Sequence, residues 1–257
     1  MKFRIVNFVC LLILGLLFIF CWQKEFSFWL LLIPIFFWLI ITSFGAFEIR
    51  LNYFLNAYNR SHNKVKKVIA LTFDDGPTEF TPRILDILEQ NNAKATFFCI
   101  GKQIENFPKI LIKAHQAGHI IGNHTFNHSP KNGFYSADRI IDEIESTNAL
   151  IESLINKKTA LFRPPFGVTN PHIAKAINST KHKVIGWSVR SLDTVIEDEN
   201  KLFLRIKKQI KPGCIVLMHD TSERTANVLE QLFVFLQEEN YKVIPLNDLL
   251  KIEAYEN

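Results

Sequence analysis

The sequence predicts an α/β fold, a barrel of parallel strands with helices outside, preceded by an N-terminal transmembrane helical hairpin. Hydrophobic residues are concentrated at the start, where they make up 35 of the first 47 residues, against 48% of the 257-residue chain. After residue 66, short β-rich runs alternate with amphipathic helical patterns, which is typical of parallel sheets. Several of these runs lead into ionisable side chains. In a barrel of parallel strands, active sites lie at the face formed by the carboxyl ends of the strands.

Two apolar runs, residues 5–22 and 26–47, are each long enough to cross a hydrocarbon core of about 30 Å. Three residues separate them, so we expect a tight helical hairpin with Trp22 and Trp29 near one interface. Pro34, in the middle of the second run, leaves open a single span followed by a helix on the membrane surface.

Two other readings of the apolar start are weaker. A cleaved signal peptide would require small residues at the cleavage site and no second apolar run behind it. A lipoprotein anchored at Cys21 would require a small residue where Phe20 stands. The sequence therefore favours integral membrane attachment.

Basic residues predict the orientation of the hairpin. Lys2 and Arg4 precede the first run, and five basic residues follow the second, namely Arg50, Arg60, Lys64, Lys66 and Lys67. A hairpin puts both groups on one side, which the positive-inside rule makes cytoplasmic. If only one segment spans, the following domain lies outside. We divide the chain into two transmembrane helices over residues 1–47, a basic juxtamembrane linker over 48–65 and one folded domain over 66–257.

The overall charge and the cysteines exclude several classes. A net charge of +5 without a broad basic face argues against a nucleic-acid partner, and basic residues beside an apolar run suit contact with a lipid bilayer. The four cysteines have no CxxC spacing, so neither a disulfide framework nor a thiolate zinc site is indicated.

The folded domain divides into seven strand and helix pairs. We predict strands at residues 68–73, 95–100, 119–123, 160–163, 183–188, 214–218 and 242–245. Helices are predicted at 82–90, 108–116, 137–155, 171–177, 201–210, 228–238 and 248–255. Five strands lead to polar groups, which are Asp74 and Asp75, His124 and His128, Arg163, Asp193, and His219 with Asp220. In a parallel barrel these groups meet at one face.

Three of these side chains have the composition of an open metal site. His124 and His128 are four residues apart and would share a face if the segment were helical, a usable spacing for a divalent metal. On its own the histidine pair is a weak signal. With the Asp75 carboxylate it completes a three-ligand site that leaves one position for water, which is typical of catalytic metals.

The remaining groups suit acid and base roles around such a metal. Asp74 could accept a proton from water, and His219 could act as a general acid because its ordinary pKa is near neutral. Arg163 would keep Asp74 ionised and Asp193 would orient His219, although either could be a structural ion pair. The set is equipped to hydrolyse an amide or an ester.

Four motifs resemble those of the polysaccharide deacetylase family, which has the NodB homology domain and is also called carbohydrate esterase family 4. They are Thr72-Phe73-Asp74-Asp75-Gly76-Pro77, His124-Thr125-Phe126-Asn127-His128, Arg163-Pro164-Pro165-Phe166-Gly167 and Leu217-Met218-His219-Asp220. The resemblance extends over about 190 residues, from Lys66 to near the C-terminus. A further motif, residues 187–194, departs from the family pattern because Thr194 stands where many members have Trp.

The resemblance implies a distorted (β/α)7 barrel and metal-dependent N-deacetylation of acetylated amino sugars. It implies Zn²⁺ as the metal, with Co²⁺, Ni²⁺ or Mn²⁺ open. The implied roles are base for Asp74, metal ligands for Asp75, His124 and His128, acid for His219, and partners of base and acid for Arg163 and Asp193. The Phe166 N–H would face the oxyanion, while Leu217 and Trp187 would line the substrate pocket.

Three functions remain open from the sequence. The first is a membrane-anchored deacetylase of N-acetylhexosamine units in a glycan such as peptidoglycan or chitooligosaccharide. The second is a deacetylase or deformylase of a lipid-linked amino sugar at the cytoplasmic face. The third is a catalytically idle sugar-binding membrane protein, against which all five reactive positions argue. A metal-dependent phosphoesterase would want a second carboxylate-rich site, which the sequence does not offer.

Overall fold

A computed structural model describes residues 2–23, 26–61 and 66–256. The predicted turn at Lys24 and Glu25 and residues 62–65 of the predicted linker, Lys64 among them, lie outside the described residues. In the described part the helices are α1 Lys2–Trp22, α2 Leu32–Phe47, α3 Thr81–Gln90, α4 Gly101–Asn106, α5 Pro108–Gln116, α6 Ala137–Ile155, α7 Pro171–Thr180, α8 Glu199–Lys207, α9 Glu223–Glu238 and α10 Leu246–Leu250.

The strands form one parallel sheet. They are β1 Ala57–Tyr58, β2 Val68–Asp74, β3 Thr96–Cys99, β4 Ile120–Asn123, β5 Leu161–Phe162, β6 Lys183–Ile185, β7 Val189–Arg190, β8 Ile215–His219 and β9 Lys242–Val243. Their order is β1-β6-β5-β4-β3-β2-β8-β7, and β9 pairs with the start of β2. Among the described strands β1 and β7 do not pair, so the sheet curls into a barrel that is open on one side. The predicted α/β barrel is confirmed in this distorted form.

The faces of the two central strands explain where the polar groups point. On β2, Ile69, Leu71 and Phe73 pack with the outer helices, so the alternating Thr72 and Asp74 face the barrel interior. The same alternation on β8 puts Val216 and Met218 outside and Leu217 and His219 inside. Both strands are buried on each face, which is why they read as continuous apolar runs.

Most differences from the predicted elements occur where elements are short, but the 16-residue helix α9 begins at Glu223 rather than at residue 228, since the Ser222 side chain caps it by accepting from the Thr225 N–H. The strands β1 and β7, of two residues each, and the helix α4, of six, carry too little periodicity to be predicted. The predicted strand 183–188 is split, because β6 ends at Ile185 and β7 then pairs with β8. Helix α8 begins at Glu199 rather than at residue 201, since the Asp198 side chain caps it by accepting from the Lys201 N–H.

The described part of the predicted linker is folded. Strand β1 pairs with β6, Arg60 forms a bridge to Cys214, and the Ser61 N–H donates to the Gly213 carbonyl at 2.8 Å. Tyr53 and Phe54 are buried ahead of them. The domain boundary at residue 66 stays a prediction, but residues before it contribute a strand and core side chains to the barrel.

Helices α1 and α2 form an antiparallel hairpin. The apolar pair is held by the Trp38 indole, which donates to the Asn7 side-chain oxygen at 2.7 Å, and by a contact between the Cys10 thiol and the Pro34 carbonyl. Because α2 begins at Leu32, Pro34 lies in the first helical turn, where its missing N–H removes no helical hydrogen bond. By length and composition both segments, Lys2–Trp22 and Phe28–Phe47, could cross a membrane.

The base of the hairpin packs on the barrel. Phe3 contacts the rings of Tyr53 and Phe54, and its N–H donates to the Tyr53 carbonyl. The Thr169 N–H donates to the Ala46 carbonyl at 2.9 Å. Thr169 lies between β5 and α7, two residues before the helix begins, so the hairpin joins the barrel at the edge where the strands have their carboxyl ends.

A buried histidine makes stability depend on pH. The Ala95 N–H donates to His119 Nδ1 at 3.1 Å, and burial, aided by the charge of Lys94, lowers the pKa of His119 from 6.5 to about 4. The unfolded chain binds this proton near pH 6.5, so the stabilisation is complete above that pH and is lost as the pH falls towards 4. We expect His119→Gln to reduce the loss of unfolding free energy between pH 6.5 and 4.5 by on the order of 2 kcal/mol.

Urea denaturation at each pH measures this effect. His182, also buried with its pKa lowered to about 4, keeps its contribution in the variant, so the pH dependence should weaken without vanishing. His172→Gln, at an exposed position on α7, serves as the control. An unchanged pH dependence in His119→Gln would contradict the prediction.

Candidate active site

The two adjacent aspartates at the end of β2 have different environments. Asp74 ends the strand and is buried, with its side chain inside the barrel. Asp75 has a left-handed backbone (φ 74°), which turns its carboxylate towards His124 and His128. Gly76 follows, and a Cβ at that position would overlap the carboxylate of Asp220, so the turn needs glycine.

The predicted histidine pair is brought together by a loop. Residues 124–128 follow β4 without forming a helix, so the two histidines do not meet through a shared helical face. Thr125 and His128 instead have positive φ angles of 67° and 47°, and the two imidazole centroids lie 4.7 Å apart. His124 Nδ1 donates to the Arg163 carbonyl at 2.6 Å, which leaves Nε2 free to act as a ligand.

Asp75, His124 and His128 offer three ligand atoms within 4.8 Å of one another. Asp75 Oδ1 lies 3.5 Å from His124 Nε2 and 3.4 Å from His128 Nε2, and it is a buried oxygen without a hydrogen-bond partner in the described residues. Such an orphaned acceptor facing two imidazole nitrogens fits a divalent cation.

The pKa values of Asp75 and His128 also suit the binding of a metal ion. Burial raises the pKa of Asp75, but contact with His124 and the charges of His124, His128 and His219 outweigh it and lower the pKa below its usual range. Burial and the neighbouring His124 lower the pKa of His128 to about 4, so that ring is neutral near pH 7. An ionised carboxylate at Asp75 and a neutral imidazole at His128 are the states in which these two groups can bind a metal.

Arg163 is the central buried cation. Its Nη1 donates to Asp74 Oδ1 at 2.6 Å and to Thr72 Oγ1 at 2.8 Å. Its Nε and Nη2 donate to the carbonyls of Ile185 and Gly186, and the guanidinium lies 4.2 Å from the Phe98 ring centroid. These contacts leave Asp74 Oδ2 as the oxygen on the side of His124, 3.8 Å from its Nε2.

His219 and Asp193 form a second pair across the site. Both the His219 N–H and Nδ1 donate to the Asp193 carboxylate at 2.7 Å, and His219 Nε2 lies 4.0 Å from Asp75 Oδ2. Burial lowers the pKa of His219, but the Asp193 contact and the nearby aspartates outweigh it and raise the pKa to about 9. Asp193 follows β7 and not the predicted strand 183–188. The hydroxyls of Ser191 and Thr225 donate to the Asp193 carboxylate.

The three predicted substrate-side residues surround this arrangement. Phe166 has φ 60° and is half exposed, with its ring 4.7 Å from that of His128. Leu217 is buried on the same face of β8 as His219. Trp187 packs directly on Gly167, where any Cβ would collide with the indole. Their roles towards substrate stay predictions. Thr194, the residue after Asp193, is exposed.

Two residues without a predicted role support the site. Glu143, buried on α6, accepts from the backbone N–H groups of Phe126 and Asn127 and so holds the histidine loop. The sequence signal that could have identified Glu143 is an acidic residue on the apolar face of a predicted helix. Burial raises the pKa of Asp220 to about 7, and Asp220 accepts from the Thr81 hydroxyl at 2.5 Å beside Gly76.

The chain is similar in sequence to known proteins. A sequence profile described as polysaccharide deacetylase matches residues 61–185. The chain is similar to the peptidoglycan-N-acetylmuramic acid deacetylase PdaA of Bacillus subtilis, with 31% identity over 208 residues, which cover 78% of this chain and 79% of that protein.

Solved structures share the fold. The chain superposes on the Bc1960 peptidoglycan N-acetylglucosamine deacetylase with a TM-score of 0.73 and 29% identity, covering 77% of this chain and 94% of that one. It also resembles BA3943 of Bacillus anthracis, described as a CE4 family pseudoenzyme, with a TM-score of 0.70 and 32% identity over 76% of this chain and 68% of that one.

Proposed function

Because the chain belongs to the polysaccharide deacetylase family, we propose that it is a membrane-anchored hydrolase that removes N-acetyl groups from N-acetylhexosamine units of a glycan. The observation that carries the proposal is the cluster of Asp75, His124 and His128, flanked by Asp74 on one side and His219 on the other. PdaA and Bc1960 are both named as peptidoglycan deacetylases, which supports an acetylated amino sugar as the substrate.

The proposed metal is Zn²⁺, held by Asp75, His124 and His128. Two imidazoles and one carboxylate also suit Co²⁺ or Ni²⁺, and Mn²⁺ less well. When bound, the metal would supply Lewis-acid polarisation of the amide carbonyl of the substrate. The carbonyl of Arg163 fixes the tautomer of His124, so that this ligand is oriented before any metal arrives.

The chain's own groups would carry the protons. Asp74, which Arg163 holds by a hydrogen bond to Oδ1, accepts the proton of the attacking water. His219, oriented by Asp193, donates a proton to the leaving amine nitrogen, and the Asp193 carboxylate favours the protonated ring by raising its pKa. The products are acetate and the free amino sugar.

The remaining residues are proposed to shape the pocket. The backbone N–H of Phe166 would donate to the oxyanion that forms on the carbonyl oxygen. Leu217 would contact the acetyl methyl group, and Trp187 would support the turn that carries Phe166. The proposed organisation is an anchor over residues 1–47, a basic segment over 48–65 whose strand β1 joins the barrel, and a catalytic domain over 66–257.

A second candidate is a deacetylase or deformylase of a lipid-linked amino sugar at the cytoplasmic membrane face. It is favoured by the two apolar helices and by the basic residues that flank them, which predict a cytoplasmic domain. The idle sugar-binding alternative draws support from the Bacillus anthracis pseudoenzyme, but this chain retains a carboxylate or imidazole at all five reactive positions.

Metal removal tests the proposal directly. The purified full chain should release acetate from N-acetylglucosamine oligomers, lose at least about 90% of that rate after chelation, and recover it with added Zn²⁺. His128→Ala should weaken Zn²⁺ binding by at least about 100-fold in calorimetry, because a ligand is lost. The exposed His172→Ala is the matched control.

Two outcomes would overturn parts of the proposal. Parental Zn²⁺ affinity in His128→Ala would show that the ligand set is different. A chain that binds Zn²⁺ and sugar but releases neither acetate nor formate from free or lipid-linked amino sugars would replace the enzyme with the idle binding protein.

A further inference from the structure

Phe134 is the most exposed large apolar side chain in the part of the chain that the structure describes, at 91%. It ends a 3-10 turn, Asn132–Phe134, in which its N–H donates to the Lys131 carbonyl at 2.8 Å. Asn132 is buried and its N–H donates to the Ser129 carbonyl. The turn is therefore held in place, and it presents the phenyl ring outwards.

This turn lies beside the base of the hairpin. The Gly133 carbonyl accepts from the Asn170 side chain at 2.7 Å, and the neighbouring Thr169 N–H donates to the Ala46 carbonyl in the last turn of α2. Tyr135 packs in the same apolar cluster as Ala46 and Phe3. One residue beyond Ala46, Phe47 is 72% exposed and continues the apolar surface of the hairpin.

The same turn follows the histidine loop of the candidate active site. It begins only a few residues after His128, whose ring contacts the half-exposed Phe166. The exposed Lys131 adds a positive charge, and Lys2 and Arg4 lie at the same end of the hairpin, since Phe3 is fixed to Tyr53. An aromatic ring among basic side chains next to a membrane span is typical of the lipid headgroup region.

We propose that Phe134 and Lys131 insert into the headgroup region of the bilayer that holds the hairpin, so that the active-site mouth faces the membrane surface. This inference rests on the proposed deacetylase function. Insertion of Phe134 and Lys131 directs the enzyme to amino sugars held at the membrane surface rather than to distant polymer. The hydrophobic gain comes from removing the phenyl ring from water, and the charge of Lys131 adds attraction to anionic lipid.

Fluorescence quenching tests the docking without reference to activity. Phe134→Trp in the full chain, reconstituted in phosphatidylglycerol-containing vesicles with lipids brominated near the headgroup, should add emission that these lipids quench. Val234→Trp is the matched control, because Val234 is 59% exposed on α9, which packs on α3 and α8 away from the hairpin. Its added emission should not be quenched.

The tryptophans already present in the chain test whether the hairpin lies in the bilayer. Trp22, Trp29 and Trp38 lie in the hairpin and should be quenched by brominated lipids in every variant. If the emission added by Phe134→Trp stays unquenched while the hairpin tryptophans are quenched, the docking is overturned. Unquenched hairpin tryptophans would overturn it as well, since no bilayer would then hold the hairpin.

Activity supplies a second readout. Phe134→Ser should slow acetate release from a lipid-linked N-acetylated sugar in vesicles by about fivefold, with a soluble oligomer in detergent deacetylated at the parental rate. Val234→Ser should change neither rate. If Phe134→Ser slows the soluble oligomer and the emission added by Phe134→Trp is not quenched, Phe134 is a sugar-stacking residue and the proposal is overturned. Absence of all deacetylation would contradict the proposed function, while the quenching result would still decide the docking.

Discussion

Asp74→Asn is expected to slow acetate release by about 10²–10⁴-fold. Asparagine has nearly the same shape as aspartate, but its amide cannot accept the proton of the attacking water. Zn²⁺ affinity should stay within roughly tenfold of the parent, because the three proposed ligands are unchanged. Initial rates on N-acetylglucosamine oligomers, with calorimetry for Zn²⁺, measure the two effects separately.

Asp86→Asn is the matched control for this variant. Asp86 is exposed on α3, where it pairs with Lys113 at 3.3 Å, and its loss should leave the rate unchanged. A rate for Asp74→Asn within tenfold of the parent would assign the base to another group.

An activated substrate distinguishes the base from the acid. An aryl acetate has a leaving oxygen that needs no proton, so it should partly restore the rate of His219→Ala but not that of Asp74→Asn. Equal restoration of the two variants would contradict the division of roles between Asp74 and His219.

Arg163→Leu is expected to lower the free energy of unfolding by about 3–5 kcal/mol. The substitution leaves the buried Asp74 carboxylate without its partner at 2.6 Å and two carbonyls without donors. For a domain of this size the midpoint of thermal unfolding should fall by about 10 °C. Circular dichroism of the full chain in detergent measures the loss.

A surface arginine provides the comparison. Arg83 pairs with Glu223 and Glu230 on exposed side chains, so Arg83→Leu should cost no more than about 1 kcal/mol. The double variant Asp74→Asn with Arg163→Leu should recover part of the loss, because no buried charge is then left unpaired. A similar loss for Arg83→Leu and Arg163→Leu would contradict the argument from burial.

Much of the barrel could be predicted from the sequence, since its long elements carry clear patterns. The apolar run before Asp74 predicts β2, and the periodicity of 137–155 predicts α6 with the observed ends. The two-residue strands β1 and β7 could not be predicted, because their pairing depends on β6 and β8, which are far away in sequence.

The membership of the candidate site could be predicted better than its geometry. Residue types at strand ends and the family motifs identified Asp75, His124 and His128. Their approach depends on left-handed backbone in the loop and on Glu143, which arrives from α6 and accepts from that loop. Sequence spacing carries no signal for such a contact.

The unequal burial of the site also bears on how members of this fold can change over evolution. The side chains of Asp75, His128 and His219 are 26%, 16% and 16% exposed, whereas Arg163 has no exposed side-chain surface. Substitutions at the rim can abolish chemistry while the fold persists, so inactive descendants are readily reached. Loss of Arg163 lowers the stability of the barrel as well, which predicts that drift in such lineages begins at the partly exposed positions and reaches the buried arginine last.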